Sequence, residues 1–370
     1  MPSVAIIGTR GYPSYYGGFE TLVRHLAPYL VDEGWDVTVY SRPSSIKTDD
    51  PALDRRVKSV VTWGVESKSL STLSYGFSSS FDAVFRSKPD VALIMNVANG
   101  YFLPLFRARH IPTVVNVDGI EWERDKWGTI AKKTFQWGAN LTAKNASHLV
   151  FDAKAIGTRW MQEYGRNGTF IPYGADIPGD LPIEPGLTHR GYVLYVARFV
   201  PENTFSEFLE AAKELSRDWP VVVVGSSGHG GALDEEMATL DANNSNIHWL
   251  GHISDDQRLY SLWQHAGAYF HGHSVGGTNP ALVQAMGCGA PIVARDTIFN
   301  REVLGKSGLF VNPNSEAIVY SILQLMMNLS ESQNLAQYAL LRATNLYSWS
   351  GVEQAYNKAL ISLSKTKSTI

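Results

Sequence analysis

Val4-Ala-Ile-Ile-Gly8-Thr-Arg-Gly-Tyr-Pro-Ser-Tyr-Tyr-Gly-Gly-Phe-Glu20 passes from an apolar run into a glycine-rich turn, after which apolar residues recur at Phe19, Leu22, Val23, Leu26 and Leu30. That spacing is one face of a helix, and a short β-branched run followed by an amphipathic helix is the unit of a parallel sheet with crossover connections. Pro28 falls inside the helix and predicts a kink. The glycines let the backbone approach a ligand, and Gly17 and Gly18 place amide groups at a helix start, where an anion is favoured. A tight turn with no ligand is the alternative. The spacing is not GxGxxG, and the second strand runs into Tyr40-Ser-Arg42 rather than an acidic residue, so dinucleotide binding is disfavoured.

The same alternation continues outward. Strands are expected at Val4 to Gly8, Val37 to Tyr40, Val57 to Trp63, Val91 to Met95, Thr113 to Val117, Leu149 to Phe151 and Thr169 to Ile171. The stretch Pro172 to Gly186 is too rich in proline and glycine to continue either kind of element and reads as a hinge. The pattern then restarts at Tyr192 to Ala197, Val221 to Gly225, Ile247 to Leu250, Ala268 to His271 and Pro291 to Ala294. The expected fold class is α/β, with two doubly wound domains at 1–173 and 191–346, a hinge at 174–190 and a terminal segment at 347–370. In such sheets ligands sit at the carboxyl ends of the strands.

Composition agrees. A chain of 370 residues exceeds what one core usually supports, and 44% hydrophobic residues with 18% charged argue against disorder. The net charge of −3 gives no reason to expect nucleic acid, yet residues 1 to 175 hold 20 Lys and Arg against 16 Asp and Glu, and the remainder 12 against 19. The single cysteine, Cys288, excludes an intramolecular disulfide and a cysteine-based zinc cluster. With no signal-peptide pattern at the start and no apolar run of about 18 residues, a cytoplasmic, non-spanning protein is expected.

Several strand ends carry chemistry. Asn96 and Asn99 follow the fourth strand, and Asp118 follows the fifth, where it is a candidate for acid/base or substrate-hydroxyl duty or else an ordinary helix cap. Glu121 and Trp122 open a segment dense in charge and indole, which suits sugar stacking, an anionic membrane surface or a solvated helix face. Arg198 ends the strand that opens the second half and is suited to bidentate diphosphate binding or a surface ion pair. Val221 to Gly231 is a glycine-rich strand exit without the Gly-Lys-Ser/Thr ending of a P-loop. Phe270-His-Gly-His-Ser-Val-Gly-Gly-Thr-Asn-Pro280 supplies backbone amides at a helix start. His271 and His273 lack nearby partners for a metal, and Cys288 lies among glycines, where packing explains it better than nucleophilic catalysis.

Tyr16-Gly-Gly-Phe-Glu20, Val117-Asp-Gly-Ile-Glu-Trp122, Ile171-Pro-Tyr-Gly174, Arg198-Phe-Val-Pro-Glu-Asn203, His273-Ser-Val-Gly-Gly-Thr-Asn-Pro280 and Asn300-Arg-Glu-Val-Leu304 resemble, in that order, bacterial retaining glycosyltransferases of the GT-B fold. The closest likeness is to the rhamnosyltransferase-like subgroup of cell-surface polysaccharide synthesis. The resemblance implies two Rossmann-like domains facing each other across a cleft. It implies donor binding by Gly17, Gly18, Asn203, Trp249, Gly251, Gly276, Gly277, Thr278, Asn279 and Gln284, acceptor binding by Tyr16, Asn96, Glu121 and Trp122, and catalytic roles for Asp118 and Arg198.

Three departures from the broad superfamily matter. Gly276 and Gln284 replace a pair of glutamates, Asn203 replaces a phosphate-binding lysine, and Asp118 replaces a cleft histidine. An amide at Gln284 accepts fewer ribose hydroxyls than a carboxylate, which suits a deoxyribose donor. The implied reaction is metal-independent transfer of L-rhamnose from dTDP-rhamnose to a hydroxyl of a lipid-linked saccharide, with retention of configuration. A UDP- or GDP-sugar transferase and a catalytically degenerate sugar-nucleotide-binding protein are the alternatives. Peripheral contact with the inner face of an anionic membrane, through Lys126, Lys132 and Lys133, is a further expectation.

Overall fold

The computed structural model describes residues 1–364 apart from Tyr16, residues 46–48, 68–69 and 125–126, and His229. The chain forms two compact units, Met1–Tyr173 with the segment from Trp349 onward, and Gly174–Ser348.

Unit 1 is built on β1 (Ser3–Ile7), β2 (Asp36–Ser41), β3 (Lys58–Val61), β4 (Val91–Met95), β5 (Thr113–Asn116), β6 (His148–Phe151) and β7 (Thr169–Phe170). Its helices are α1 (Gly18–Asp32), α2 (Ser71–Asp82), α3 (Leu103–Ala108), α4 (Thr129–Asn145) and α5 (Lys154–Tyr164). All described strands are parallel, in the order β3-β2-β1-β4-β5-β6-β7. β4 and β5 are buried at every residue, as strands covered by helices on both faces must be, which is why they read as unbroken apolar runs. Pro28 lies inside α1, which runs from Gly18 to Asp32 as one helix. The last helix of the chain, Trp349–Ser364, returns to this unit. There Tyr356 is fully buried, Trp35 donates its Nε1–H to Asn357 Oδ1 (2.9 Å), and His25 stacks on Trp349 at 4.0 Å.

Unit 2 contains β8 (Val193–Val196), β9 (Val221–Val224), β10 (Ile247–Trp249), β11 (Ala268–His271), β12 (Ile292–Arg295) and β13 (Leu309–Val311). They too are parallel, ordered β10-β9-β8-β11-β12-β13. Its helices are α6 (Phe205–Leu215), α7 (Ala232–Asn243), α8 (Asp256–His265), α9 (Pro280–Gly287), α10 (Ile298–Leu304), α11 (Ser315–Met327) and α12 (Leu329–Leu346), which makes the returning helix α13. The core gathers Tyr195, Phe205, Phe208 and Phe270 under α6 and α11, with Phe199 and Phe205 stacked at 3.7 Å. β13 has no counterpart in the strand expectations.

Residues 174–190 are strapped to unit 2 along α8. Leu181 N donates to Gln264 Oε1 (2.8 Å), Ser261 Oγ donates to the Pro182 carbonyl, and Arg258 pairs with Glu184 at 2.6 Å.

Candidate functional site

Each sheet reverses its winding once, between β1 and β4 in unit 1 and between β8 and β11 in unit 2. At such a reversal the flanking loops leave in opposite directions and open a crevice at the strand ends. In unit 1 the crevice begins at Gly8, whose φ of +97° suits glycine and whose missing Cβ would lie 2.4 Å from the Met95 carbonyl. Across it stand Asn96 (φ +69°) and Asp118 (φ +63°), both left-handed. Asn and Asp are the side-chain-bearing types that adopt this conformation at least cost. Asn96 Nδ2 donates to Asp118 Oδ2 (3.0 Å), and the Asp118 amide donates to Asn116 Oδ1 (2.9 Å). Asn116 in turn donates to the Tyr356 hydroxyl at 2.7 Å. A hydrogen-bonded chain from α13 therefore fixes Asp118, and the half-buried side chain keeps access to the crevice. The buried Tyr173 hydroxyl is pushed well above its ordinary range by burial and then by the Asp118 charge.

The rest of the expected acceptor set is disposed differently. Glu121 is buried, paired with Arg124 at 2.7 Å and bonded by Trp127 Nε1–H at 3.0 Å. It holds its own loop together and presents no free carboxylate. Trp122 is only 9% exposed, so its indole is not an open stacking face. Tyr16 lies outside the described residues. At the start of α1 a carboxylate already lies near the Gly17–Gly18 turn: buried Glu20 accepts from the Arg10 amide (3.0 Å), and a Cβ on Gly17 would lie 3.4 Å from Glu20 Oε2. A carboxylate there complements the helix dipole and competes with a ligand phosphate.

In unit 2 the loops after β8, β11 and β12 are stitched together. Arg198 is exposed and carries no ion pair among the described residues, while its carbonyl accepts from Asn203 Nδ2 at 2.9 Å. Asn203 is thus a brace for the arginine's turn, with its amide engaged. Ser274 donates through N and Oγ to the Glu202 carbonyl (2.8 and 2.9 Å), and Thr204 Oγ1 donates to the Gly272 carbonyl at 2.6 Å. Arg295, at the end of β12, donates to Thr204 Oγ1 (3.0 Å), and buried Asn300 donates to the His273 carbonyl (3.0 Å). The loop so held passes through Gly276 at φ +113° with nothing within 4 Å of its absent Cβ, and through buried Gly277 and Thr278. Asn279 Oδ1 caps α9 by accepting from Ala281 N at 3.0 Å, and Pro280 is the first helical residue. An unhindered glycine loop leading into a capped helix start beside an unpaired guanidinium is suited to a phosphorylated ligand.

Two expected donor residues are engaged elsewhere. Gln284 is 8% exposed, accepts from Asp176 N at 3.0 Å and donates to Asp176 O at 2.9 Å. Its amide clamps residue 176 and its second N–H faces Cys288 Sγ at 3.5 Å, so both donors are engaged within the protein. Trp249 donates its Nε1–H to the Gly225 carbonyl (2.8 Å) and tilts against Phe199, and Gly251 accepts from Gly225 N at 2.7 Å. The segment is a fixed wall whose indole nitrogen is occupied.

His271 is fully buried, stacks on His273 at 4.4 Å and meets the Tyr269 hydroxyl at 3.0 Å. Burial, and then the neighbouring imidazole, hold it well below the usual histidine range, so it is neutral. Among the described residues no three His, Cys, Asp or Glu side chains gather as a metal ligand set. Burial raises the Cys288 thiol to about 12, which keeps it protonated. Sequence reasoning missed Asn116, Thr204 and Arg295. Thr204 gave no signal, since its φ of +57° is unusual for a β-branched residue.

Known proteins share this fold. The family model for glycosyl transferases group 1 matches residues 184–342, and that for glycosyltransferase family 4 matches residues 16–177. The O-antigen chain mannosyltransferase B of Escherichia coli is 26% identical over 168 residues, 44% of each chain, so the match spans less than half the length of that relative. Among solved structures, sucrose-phosphate synthase of Thermosynechococcus elongatus superposes with a TM-score of 0.79 at 16% identity, covering 98% of this chain and 99% of the other. Anabaena HepE in complex with UDP-glucose gives 0.76 at 16% identity, covering 97% and 99%. Both halves of the chain carry glycosyltransferase domains, and the fold is that of GT-B glycosyltransferases.

Proposed function

We propose that this glycosyltransferase moves a hexosyl group from a nucleotide sugar to a hydroxyl of a lipid-linked saccharide in cell-surface polysaccharide synthesis. The observation that carries the reading is the braced loop of unit 2, in which Arg198 and the open Gly276–Asn279 turn sit at the reversal of the sheet. Unit 2 would hold the donor diphosphate and unit 1 the acceptor. As the glycosidic bond to the diphosphate breaks, Arg198 and the amides of residues 276–279 take up the developing negative charge. Asp118, held by Asn96 and Asn116, orients a sugar hydroxyl. On this reading the leaving diphosphate helps take the acceptor proton, configuration is retained and no metal is needed, so turnover persists in EDTA.

The donor we propose is dTDP-L-rhamnose. The support is Gln284: with its amide engaged by Asp176, the site makes one less ribose contact than a free carboxylate would give, which a deoxyribose tolerates. The likeness to a mannosyltransferase favours a second reading, a mannosyl donor. Turnover of dTDP-L-rhamnose, GDP-mannose and UDP-glucose by the purified chain, with lipid-linked acceptors, separates them; a clear preference for GDP-mannose overturns the rhamnosyl reading. Loss of at least about tenfold in kcat/KM is expected for Arg198→Ala. Unchanged turnover by that variant would remove Arg198 from the site.

Contact with an anionic membrane is proposed through α4, where Ile130 and Trp137 are 84% and 62% exposed and Lys133 is exposed on the same face. Lys126 lies outside the described residues, and among the described residues no helix is long and apolar enough to cross a membrane. Sedimentation with anionic vesicles that survives Ile130→Ser with Trp137→Ser would refute this surface.

A further inference from the structure

The carboxyl ends of β1, β2 and β3 border a pocket lined by Gly8, Thr9, Ser41, Arg42, Thr62, Tyr75 and Ser79, among others. Including the solvent at its mouth, it encloses about 270 Å³.

The lining is unbalanced. The Arg42 side chain is 11% exposed and lies 4.9 Å from the Tyr75 ring centre. Its Nε–H is buried and has no hydrogen-bond partner among the described residues. The nearest carboxylate, Glu66, stands 3.9 Å from Nη1, beyond hydrogen-bond range, and is 58% exposed. Thr9, 6% exposed, has a buried hydroxyl that is likewise unpartnered. Burial, followed by repulsion from Arg10 and opposed in part by Glu66, Tyr75 and Glu20, weakens Arg42's hold on its proton. A desolvated guanidinium with an idle donor and a like charge nearby is costly unless an anion completes it. The adjacent hydroxyls are paired with one another, Ser41 with Ser59 at 2.6 Å and Thr62 with Ser79 at 2.9 Å, and each can still turn a proton or a lone pair inward.

We propose that this pocket is an oxyanion subsite that takes one phosphate or carboxylate group through Arg42 and Thr9. Binding of the oxyanion stands independently of the transferase reading; its assignment to an acidic group on the acceptor rests on that reading. In the test, the full chain carrying Arg198→Ala, which silences the donor arginine, is titrated with inorganic phosphate, with methyl glucuronide and with neutral methyl glucoside. Arginine Nε–Hε resonances are followed by NMR. One resonance moves with phosphate or glucuronide and not with glucoside, and Arg42→Gln abolishes the response. Thr9→Val, which preserves shape, weakens binding about fivefold and keeps the test open should Arg42→Gln fail to fold. No response to either anion, or a response that survives both substitutions, overturns the subsite. Equal turnover of acidic and neutral acceptors, with phosphate binding intact, overturns only its assignment to the acceptor; the phosphate and glucuronide arms tell a phosphate source from a uronate.

Discussion

Placing a carboxylate at position 284 tests whether the Gln284 side chain serves Asp176 or a ligand. In Gln284→Glu the oxygen that accepts from Asp176 N survives, but the nitrogen that donates to Asp176 O at 2.9 Å becomes a second acceptor. A backbone carbonyl then loses its partner in a site 8% exposed, costing about 1–3 kcal/mol. The buried charge adds to this, with the Asp176 carboxylate close by, bonded to the Tyr260 hydroxyl at 2.7 Å. We expect a deficit of about 3 kcal/mol at pH 7.5. The introduced carboxyl has its folded pKa raised, so its protonated form, which again donates to Asp176 O, is regained as pH falls. The deficit therefore shrinks to about 1 kcal/mol near pH 5.5. Urea unfolding of variant and parent at both pH values, read as a difference, measures it. A deficit below about 0.5 kcal/mol at both pH values, with tighter nucleotide binding, would show that the side chain faces the donor and not Asp176.

Three further outcomes follow from the same geometry. Asp118→Asn, which keeps a residue tolerant of left-handed backbone, is expected to lower kcat at least about tenfold with little change in melting temperature; unchanged kcat in a donor-saturated assay removes Asp118 from the chemistry. Buried neutral His271 must gain a proton on unfolding below its ordinary pKa, so its contribution to stability is present above about pH 6.5 and is lost as pH falls, with a slope of up to about 1.4 kcal/mol per unit. His271→Asn should flatten the melting temperature between pH 7.5 and 5.5, and an unaltered profile counts against a neutral buried ring. Asn300→Ala removes both the bond to His273 O and that to Arg295 O at 2.8 Å, so donor KM should rise about fivefold or more; an unchanged KM would mean the loop needs no brace.

Strand positions were legible because parallel strands buried on both faces must be apolar throughout. β4 and β11 carry the expected bounds. The expected strand at Val57 to Trp63 overshoots because β3 is an edge, paired only with β2, and its exposed residues carry little burial signal. β13, Leu309-Phe-Val311, lies at the other sheet's edge, two of its three residues are half-buried, and it has no counterpart among the expected strands. At the site, sequence reading found the glycine loops at the strand ends but could not show what individual polar groups bond to. Gln284 meets a backbone 108 positions away, and a spacing motif cannot show that an amide is already engaged. Glu121 illustrates the same limit at short range, since a carboxylate three residues before Arg124 reads equally as a ligand or as half of an ion pair. Arg42 entered only as evidence against a dinucleotide, because its burial depends on α2 folding over it.

The return of α13 to unit 1 sets an order of events during synthesis. Asn116, which holds Asp118, finds its partner Tyr356 some 240 positions later in the chain, and Trp35 waits longer still, 322 positions, for Asn357. Residues 174–348, by contrast, contain every strand and helix of their own unit. On a ribosome the second unit can therefore close while the first, begun earlier, still exposes the groove that α13 fills. Asp118 acquires its final support only as the last helix docks, so a nascent chain stalled before Trp349 would carry the loops of unit 2 fully formed and Asp118 without its anchor.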